Sequence, residues 1–497
     1  MRRRRINKLG PLWILLALGG MLRAIPLLYP MPQGDGVIRL REAIQWAYQP
    51  TWYGLGGQWP PLTMYFQGFL IRYGADPIWL AYLMGYITSV LTLYAVYRLC
   101  LLLFENERIA LYGLFFASIY WQHIIIVNMN LSENFYTLLL IIYLFFMIKI
   151  IKYNSSSLHD ILYAMAALGG LLLIRHEGRI VWLATLLYIA YHKKYKLFLI
   201  TIMLGGLLLF YLLFENWWMH GHLLADIRSA RENFIIAEKL AGAHDTILKK
   251  ILGLEILMYQ PSIFIIALIF IGIYNIIKTK NIPIQFLIWI VQFYLLFMIL
   301  SVLISPLRVY WRYFIPILML LLPFAGFAFY QMRRRSIASA FLLGTIIIQP
   351  THWFYSQSVN LGKYSVWHLL PVTQPSPQQK TLEQQITQLP RGVTLYVFYS
   401  FPAQWDVEQA ALNTRRYDLI PRLHVDQRYN QYKLYLETIN LSKENIKKAD
   451  FLLVDPSYPR LTQLIQNMPK ANIVYQTKFI LIYKINRRPE MYKQDNT

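Results

Sequence analysis

The chain has 497 residues, 57% of them hydrophobic and 15% charged, an apolar content that excludes an ordinary soluble globular protein. A formal net charge of +23 would suit nucleic acid, but the basic residues sit in short clusters between apolar stretches, which excludes a single basic face and fits a membrane topology. A single cysteine, Cys100, excludes an intramolecular disulfide.

In chain order, stretches long enough or nearly long enough to cross roughly 30 Å of hydrocarbon lie at 9–29, 78–104, 109–127, 134–151, 160–174, 179–192, 197–214, 261–277, 283–304, 314–330 and 337–350, about eleven spans. The fifth, sixth and eleventh are short. Leu62 to Leu70 is too short to cross and is expected to lie along the interface. Arg2 to Arg5, Arg98 with Arg108, Lys149 with Lys152, Lys193 to Lys196, Lys278 with Lys280, and Arg333 to Arg335 fall at alternate connections. The positive-inside rule places all of them in the cytoplasm. The amino terminus begins like a signal peptide, but no small-residue cleavage pattern follows, so an uncleaved first span is expected. The connections 30–77, 128–133, 175–178, 215–260 and 305–313 then face outward, as does everything after about residue 351.

The first outer connection carries Asp35 in Gly34-Asp35-Gly36. An ionisable side chain at the mouth of a span is costly unless it meets water or a partner, so Asp35 is a functional-site candidate; the bland reading is a solvated turn residue. Arg39, Arg41 and Glu42 alternate with Val37, Ile38, Leu40, Ile44 and Trp46, the pattern of a short amphipathic helix at the interface. Trp59-Pro60-Pro61-Leu62 then turns the chain back toward the membrane.

Further along, Glu133 in Leu131-Ser132-Glu133 can supply a second acid or simply suit a helix N-terminus. Arg175, His176 and Glu177 sit between two short spans, where a local ion pair is the structural reading. Arg308 and Arg312 are four apart and share a face on a helical turn, although arginines at span ends also snorkel to headgroups. Arg23 reads as a headgroup contact, with reach toward the site from the first span as the alternative, and His123 as a buried structural histidine. His220, His222 and His244 lack zinc-ligand spacing, so no cofactor is assigned and a divalent cation stays open without a ligand set. From about residue 375, strand-like 394–399, 450–454 and 472–485 with a helical 459–468 predict a small α/β domain.

Gly34-Asp35-Gly36, Trp59-Pro60-Pro61-Leu62, Leu131-Ser132-Glu133, Arg175-His176-Glu177-Gly178 and Arg312-Tyr313-Phe314-Ile315-Pro316 occur in that order. Together they resemble membrane glycosyltransferases of the GT-C class, in particular the branch of protein O-mannosyltransferases and aminoarabinose lipid A transferases. The resemblance covers the first 350 residues or so and implies a GT-C-like module over 1–350; the proline-containing stretch before residue 378 marks a linker at 351–378, and the strand and helix pattern beyond it an extracytoplasmic α/β domain over 379–497. The resemblance further implies transfer of a sugar, with inversion, from a polyprenyl-phosphate carrier to a protein, lipid or glycan acceptor on the outer face. The membrane is expected to be a bacterial inner membrane, with an archaeal plasma membrane or the endoplasmic reticulum as the alternatives, and the clustered basic residues speak for membrane rather than nucleic acid. Asp35 is then the general base, with Glu133 as a second acid. Arg308, Arg312, Tyr313 and Arg175 become carrier-phosphate ligands, and Arg39, Trp59, His176 and Glu177 substrate contacts. Family members often place a second acid beside the first, where this chain has Gly36.

Two other classes compete. A transporter or flippase would place charges near the midplane, commonly within an internal repeat, and a non-catalytic scaffold would need no organised set of acids and arginines. The polar groups of this chain gather instead at the outer ends of its spans.

Overall fold

The computed structural model describes residues 3–28, 35–53, 60–153, 157–225, 228, 263–277, 281–304, 311–332, 339, 341–345, 377–391, 395–398, 410–412, 414–419, 423–425, 451–454, 471–476 and 481–485. Trp59, Arg308, His244, Lys278, Lys280, the Arg333 to Arg335 cluster and the helix expected at 459–468 lie outside those residues. The chain divides into two compact units, one of 1–32, 51–67 and 75–372, the other of 33–50, 68–74 and 373–497.

The first unit is helical. Its described helices are α1 (Arg3–Ala24), α3 (Leu62–Arg72, the last turn of which belongs to the second unit), α4 (Pro77–Phe104), α5 (Glu107–Ser118), α6 (Trp121–Ile125), α7 (Ser132–Tyr153), α8 (Leu158–Ile174), α9 (Glu177–Tyr191), α10 (Tyr195–His220), α11 (Ile263–Ile277), α12 (Ile282–Ile304) and α13 (Ile315–Gln331); α2 (Asp35–Tyr48) belongs to the second unit. Six of the described helices are long and apolar enough to cross a membrane, seven if α5 and α6 count as one bent span. The chain is an integral membrane protein. Helix α3 covers the stretch that is too short to cross.

Local sequence sets the ends of these helices. Asp76 caps α4 by accepting from the Trp79 N–H at 3.0 Å, with Pro77 at the first helical position where a missing N–H costs nothing. At the other end Glu105 turns left-handed at φ 51°, and Asn106 accepts from the Arg108 and Ile109 N–H groups at 3.0 and 3.3 Å to start α5. A two-residue corner thus reverses the chain. Its charge is answered by Lys152 at the end of α7, which ion-pairs with Glu105 at 2.5 Å.

The third expected span, 109–127, is not continuous, since α5 and α6 meet at 58° across Ile119 and Tyr120. A break inside a membrane exposes helix-end carbonyls that lipid cannot satisfy. Arg23 satisfies them: it donates to the Ala117 and Ser118 carbonyls, both at 3.0 Å, and to Gly19 O at 3.2 Å. Its Nη2 also lies 2.8 Å from His123 Nδ1. An arginine only donates, so Nδ1 accepts and a neutral His123 carries its proton on Nε2. The expectation of a headgroup contact for Arg23 is therefore corrected: the side chain is 0% exposed and serves as an internal helix cap. The structural reading of His123 agrees with this contact.

Beyond the break, side-chain amides pin the chain leading into α7. Asn128 donates to Pro26 O at 2.9 Å, Asn134 to Ile126 O at 3.0 Å, and Gln67 to the Asn130 side-chain oxygen at 2.6 Å. Gly85 of α4 lies against this segment, where a Cβ would stand 2.0 Å from Val127 O. Helix α7 packs on α8 and α4, and its Tyr143 donates to Thr185 of α9 at 2.8 Å. Trp289 of α12 donates to Ala184 O at 2.9 Å, tying α12 to the same helix.

In the second unit, α2 buries Val37, Leu40, Ala43, Ile44 and Ala47 along one face at helical spacing. Arg39 and Glu42 are buried too, at 6% and 7% exposure, so the expected helix exists but its charged side is covered rather than open at an interface. The last turn of α3 lies against it: a Cβ on Gly68 would stand 2.6 Å from the Trp46 ring and 2.9 Å from Ala43 O. The same unit contains α14 (Pro377–Gln388) and a five-stranded sheet of β1 (Leu395–Phe398), β2 (Leu423–Val425), β3 (Phe451–Val454), β4 (Ala471–Gln476) and β5 (Leu481–Ile485), in the order β2-β1-β3-β5-β4. β1 runs parallel to β2 and β3, while β5 is antiparallel to β3 and β4. The stretch 472–485 is thus two paired strands rather than one, and β2 carried no clear strand pattern in the sequence. Arg416 closes the end of α14 by donating to Ile386 O at 2.8 Å and Leu389 O at 2.6 Å, with Asp418 held by two contacts at 3.0 and 3.1 Å.

Candidate functional site

Three connections of the helical unit meet at one group of side chains. The first turn of α7 supplies Ser132 and Glu133, the α8–α9 corner supplies Arg175 and Glu177, and the turn opening α13 supplies Arg312 and Tyr313. The corner is tight for a reason visible in the sequence: a Cβ on Gly178 would stand 2.3 Å from Leu171 O, so only glycine lets α9 start against the end of α8. Arg175 sits in extended conformation at that corner, φ −148° and ψ 151°.

The guanidinium of Arg175 is the hub. Its Nε and Nη2 grip Glu177 side-on at 3.1 and 2.7 Å, its Nη1 donates to Ser132 Oγ at 3.0 Å, and the same Nη1 is 2.8 Å from Glu133 Oε1. Glu133 Oε1 is also in ion-pair contact with Arg312 Nε at 3.2 Å, so one carboxylate oxygen serves two cations. The Tyr313 ring lies 5.0 Å from the Arg175 guanidinium carbon and 5.6 Å from that of Arg312, within cation–π range of both. Glu133 is 1% exposed, whereas the Arg312 side chain keeps 17% of its surface.

Burial works against the charge on Arg175, but Glu133 and then Glu177 outweigh it and hold the guanidinium well above its ordinary pKa. Burial likewise pushes the Glu177 carboxyl up, and the adjacent Arg175 more than offsets this, leaving it below the usual carboxylate range. Two cations and two anions make the group formally neutral.

The structure thus brings together Glu133, Arg175, Glu177, Arg312 and Tyr313, five residues that the sequence placed on one side of the membrane. Asp35 begins α2 in the other unit, half-buried and at a helix N-terminus, where a carboxylate is favoured. Arg39 is buried on the same helix, and His176 opens α9 beside Arg175. Ser132, a ligand of Arg175, and Tyr136, whose ring lies 6.0 Å from that guanidinium, are not among the sequence-predicted site residues; the place of Tyr136 three residues after Glu133 on a helix is the signal that points to it. Among the described residues no three His, Cys, Asp or Glu side chains group so as to hold a metal ion.

No protein-family model and no curated protein sequence matches this chain. Solved structures do. ArnT from Cupriavidus metallidurans bound to undecaprenyl phosphate aligns at TM-score 0.62 and 12% identity over 96% of this chain and 98% of that one. Its apo form aligns at 0.61 and 12% identity over 95% and 97%. The archaeal oligosaccharyltransferase AglB from Archaeoglobus fulgidus, in complex with an inhibitory peptide and a dolichol-phosphate, aligns at 0.55 and 12% identity over 89% and 69%. The chain has the fold of the GT-C class of membrane glycosyltransferases.

Proposed function

We propose that this protein is an inverting glycosyltransferase that moves a sugar from a polyprenyl-phosphate carrier to an acceptor hydroxyl on the outer face of a bacterial inner membrane. The observation that carries the reading is the meeting of Glu133, Arg175, Glu177 and Arg312 at one set of helix ends in a chain of this fold. The likeness to proteins solved with undecaprenyl phosphate and dolichol-phosphate supports the carrier class. The amino terminus is cytoplasmic, about eleven spans follow, and the α/β unit lies outside, as the lysine and arginine bias requires.

In the reaction, Asp35 takes the acceptor hydroxyl proton as the oxygen attacks the anomeric carbon from the face opposite the phosphate. The bond from the anomeric carbon to the phosphate oxygen breaks, and the polyprenyl phosphate departs with both bonding electrons. Arg312, with Arg308 four residues before it, holds the phosphate and stabilises the charge gathering there. Arg175 is committed to Glu177 and Glu133, so its part is to organise the group rather than to bind carrier.

The test is glycan mass spectrometry of envelope material from cells lacking the protein, complemented with wild type or Asp35→Asn at equal membrane levels. Wild type restores one missing sugar and Asp35→Asn leaves it at least about a hundredfold down, the scale of a lost general base. Restoration by Asp35→Asn removes Asp35 as the base, and an unchanged profile without the protein overturns glycosyl transfer.

A further inference from the structure

Resting on that reading, we infer that Glu133 sets the site's preference between the two phosphate species of the reaction, keeping the spent carrier from binding more tightly than the loaded one. The donor is a phosphodiester with one negative charge. The product is a phosphomonoester, which near neutral pH carries about one charge more. A pocket of arginines alone would therefore hold product over substrate and stall on it. A fixed anion beside the phosphate ligand corrects this, because it repels the more highly charged species more.

Glu133 is placed to do so. Its Oε1 is 3.2 Å from Arg312 Nε, so a phosphate gripped by that guanidinium lies within one side-chain width of the carboxylate. At 1% exposure little water screens the repulsion. The carboxylate cannot easily swing aside, since Arg175 holds it at 2.8 Å while itself locked side-on to Glu177. Glu177 pairs with Arg175 and Glu133 contacts both Arg175 and Arg312, so the four charges sum to zero and an arriving phosphate gains Arg312 as a hydrogen-bonding partner with no surplus positive charge behind it, which penalises a second negative charge more than the first.

The experiment uses full-length protein in nanodiscs and two probes, undecaprenyl phosphate and its methyl ester, a diester of fixed single charge. At about pH 8 wild type binds the monoester no more than about threefold tighter than the diester, and Glu133→Gln raises that ratio about tenfold. Glu133→Asp, which keeps the charge, restores the wild-type ratio. At about pH 5, where the monoester has lost its second charge, the effect of Glu133→Gln on the ratio disappears. A wild-type ratio of tenfold or more, readable even if Glu133→Gln does not fold, overturns the inference. So does a Glu133→Gln protein that weakens both probes equally, the signature of a merely structural role. Arg312→Gln separates the two levels: if it weakens both probes and the ratio ignores Glu133, only the inference fails, whereas if it changes neither, the assignment of the carrier phosphate to Arg312 in the functional reading fails and the inference with it.

Discussion

Arg23 and Arg175 are both guanidiniums buried at helix ends, and they are made tolerable by opposite means. Arg23 has three backbone carbonyls and a histidine nitrogen, and no carboxylate pairs with it among the described residues. Arg175 has two carboxylates and a hydroxyl. Carbonyls belong to the helices and cannot leave, so Arg23 is architecture: it closes the α5 end and ties α1 to it. Side-chain carboxylates carry full charge, and one of them is shared with Arg312, so the Arg175 group is a network of side-chain charges rather than part of the backbone frame. A buried cation is thus informative about function mainly through what answers its charge.

Removing each arginine separates the two cases most strongly. Arg175→Ala strands the buried Glu177 carboxylate and leaves Glu133 with Arg312 alone, and should cost about 3–5 kcal/mol, seen as a large fall in the melting temperature of the solubilised protein. Arg23→Ala strands carbonyl groups and should cost less, about 2 kcal/mol, while leaving the monoester-to-diester ratio of the folded protein at its wild-type value. A larger loss at Arg23 than at Arg175 would mean that helix-end dipoles, not ion pairs, dominate the energetics here.

The smallest expected effect concerns acid. The Glu177 carboxyl is held below its ordinary pKa in the folded protein, so its contribution is complete above the unfolded value, about 4.3, and is lost as pH falls through the lower folded value. Melting temperatures followed from about pH 6 to about pH 3 should decline less steeply in Glu177→Gln than in wild type. Arg23→Ala should leave that limb unaltered, because no carboxylate among the described residues pairs with that charge; an identical change in both variants would dissolve the distinction.

Much of this was legible in one dimension. Hydrophobic runs located the helices from 78–104 to 314–330 within a few residues, because burial in lipid demands long apolar stretches whatever their neighbours are. The order and sidedness of Glu133, Arg175 and Arg312 were legible too, since alternating basic clusters fix which connections share a face. The break at Ile119 and Tyr120 was not, as both flanking segments are apolar and no proline or glycine pair announces it. The group that answers the carbonyls at the break, Arg23, lies 94 residues before Ala117, a distance over which local pattern carries no information. The two short strands near the end of the chain were merged for a similar reason: an unbroken β-favouring run does not say where it folds back on itself.

By itself the sequence determined a membrane-embedded helical chain with its polar chemistry at one set of helix ends, because the hydrophobic effect and the cost of moving charge through lipid act on composition and order alone. Only the tertiary structure decided which charge answers which. Whether Arg23 faces headgroups or carbonyls, and whether Arg175 is spent on Glu177 and Glu133, depends on helix packing that brings groups distant in sequence to within 3 Å or so, where ion-pair and hydrogen-bond energies take effect.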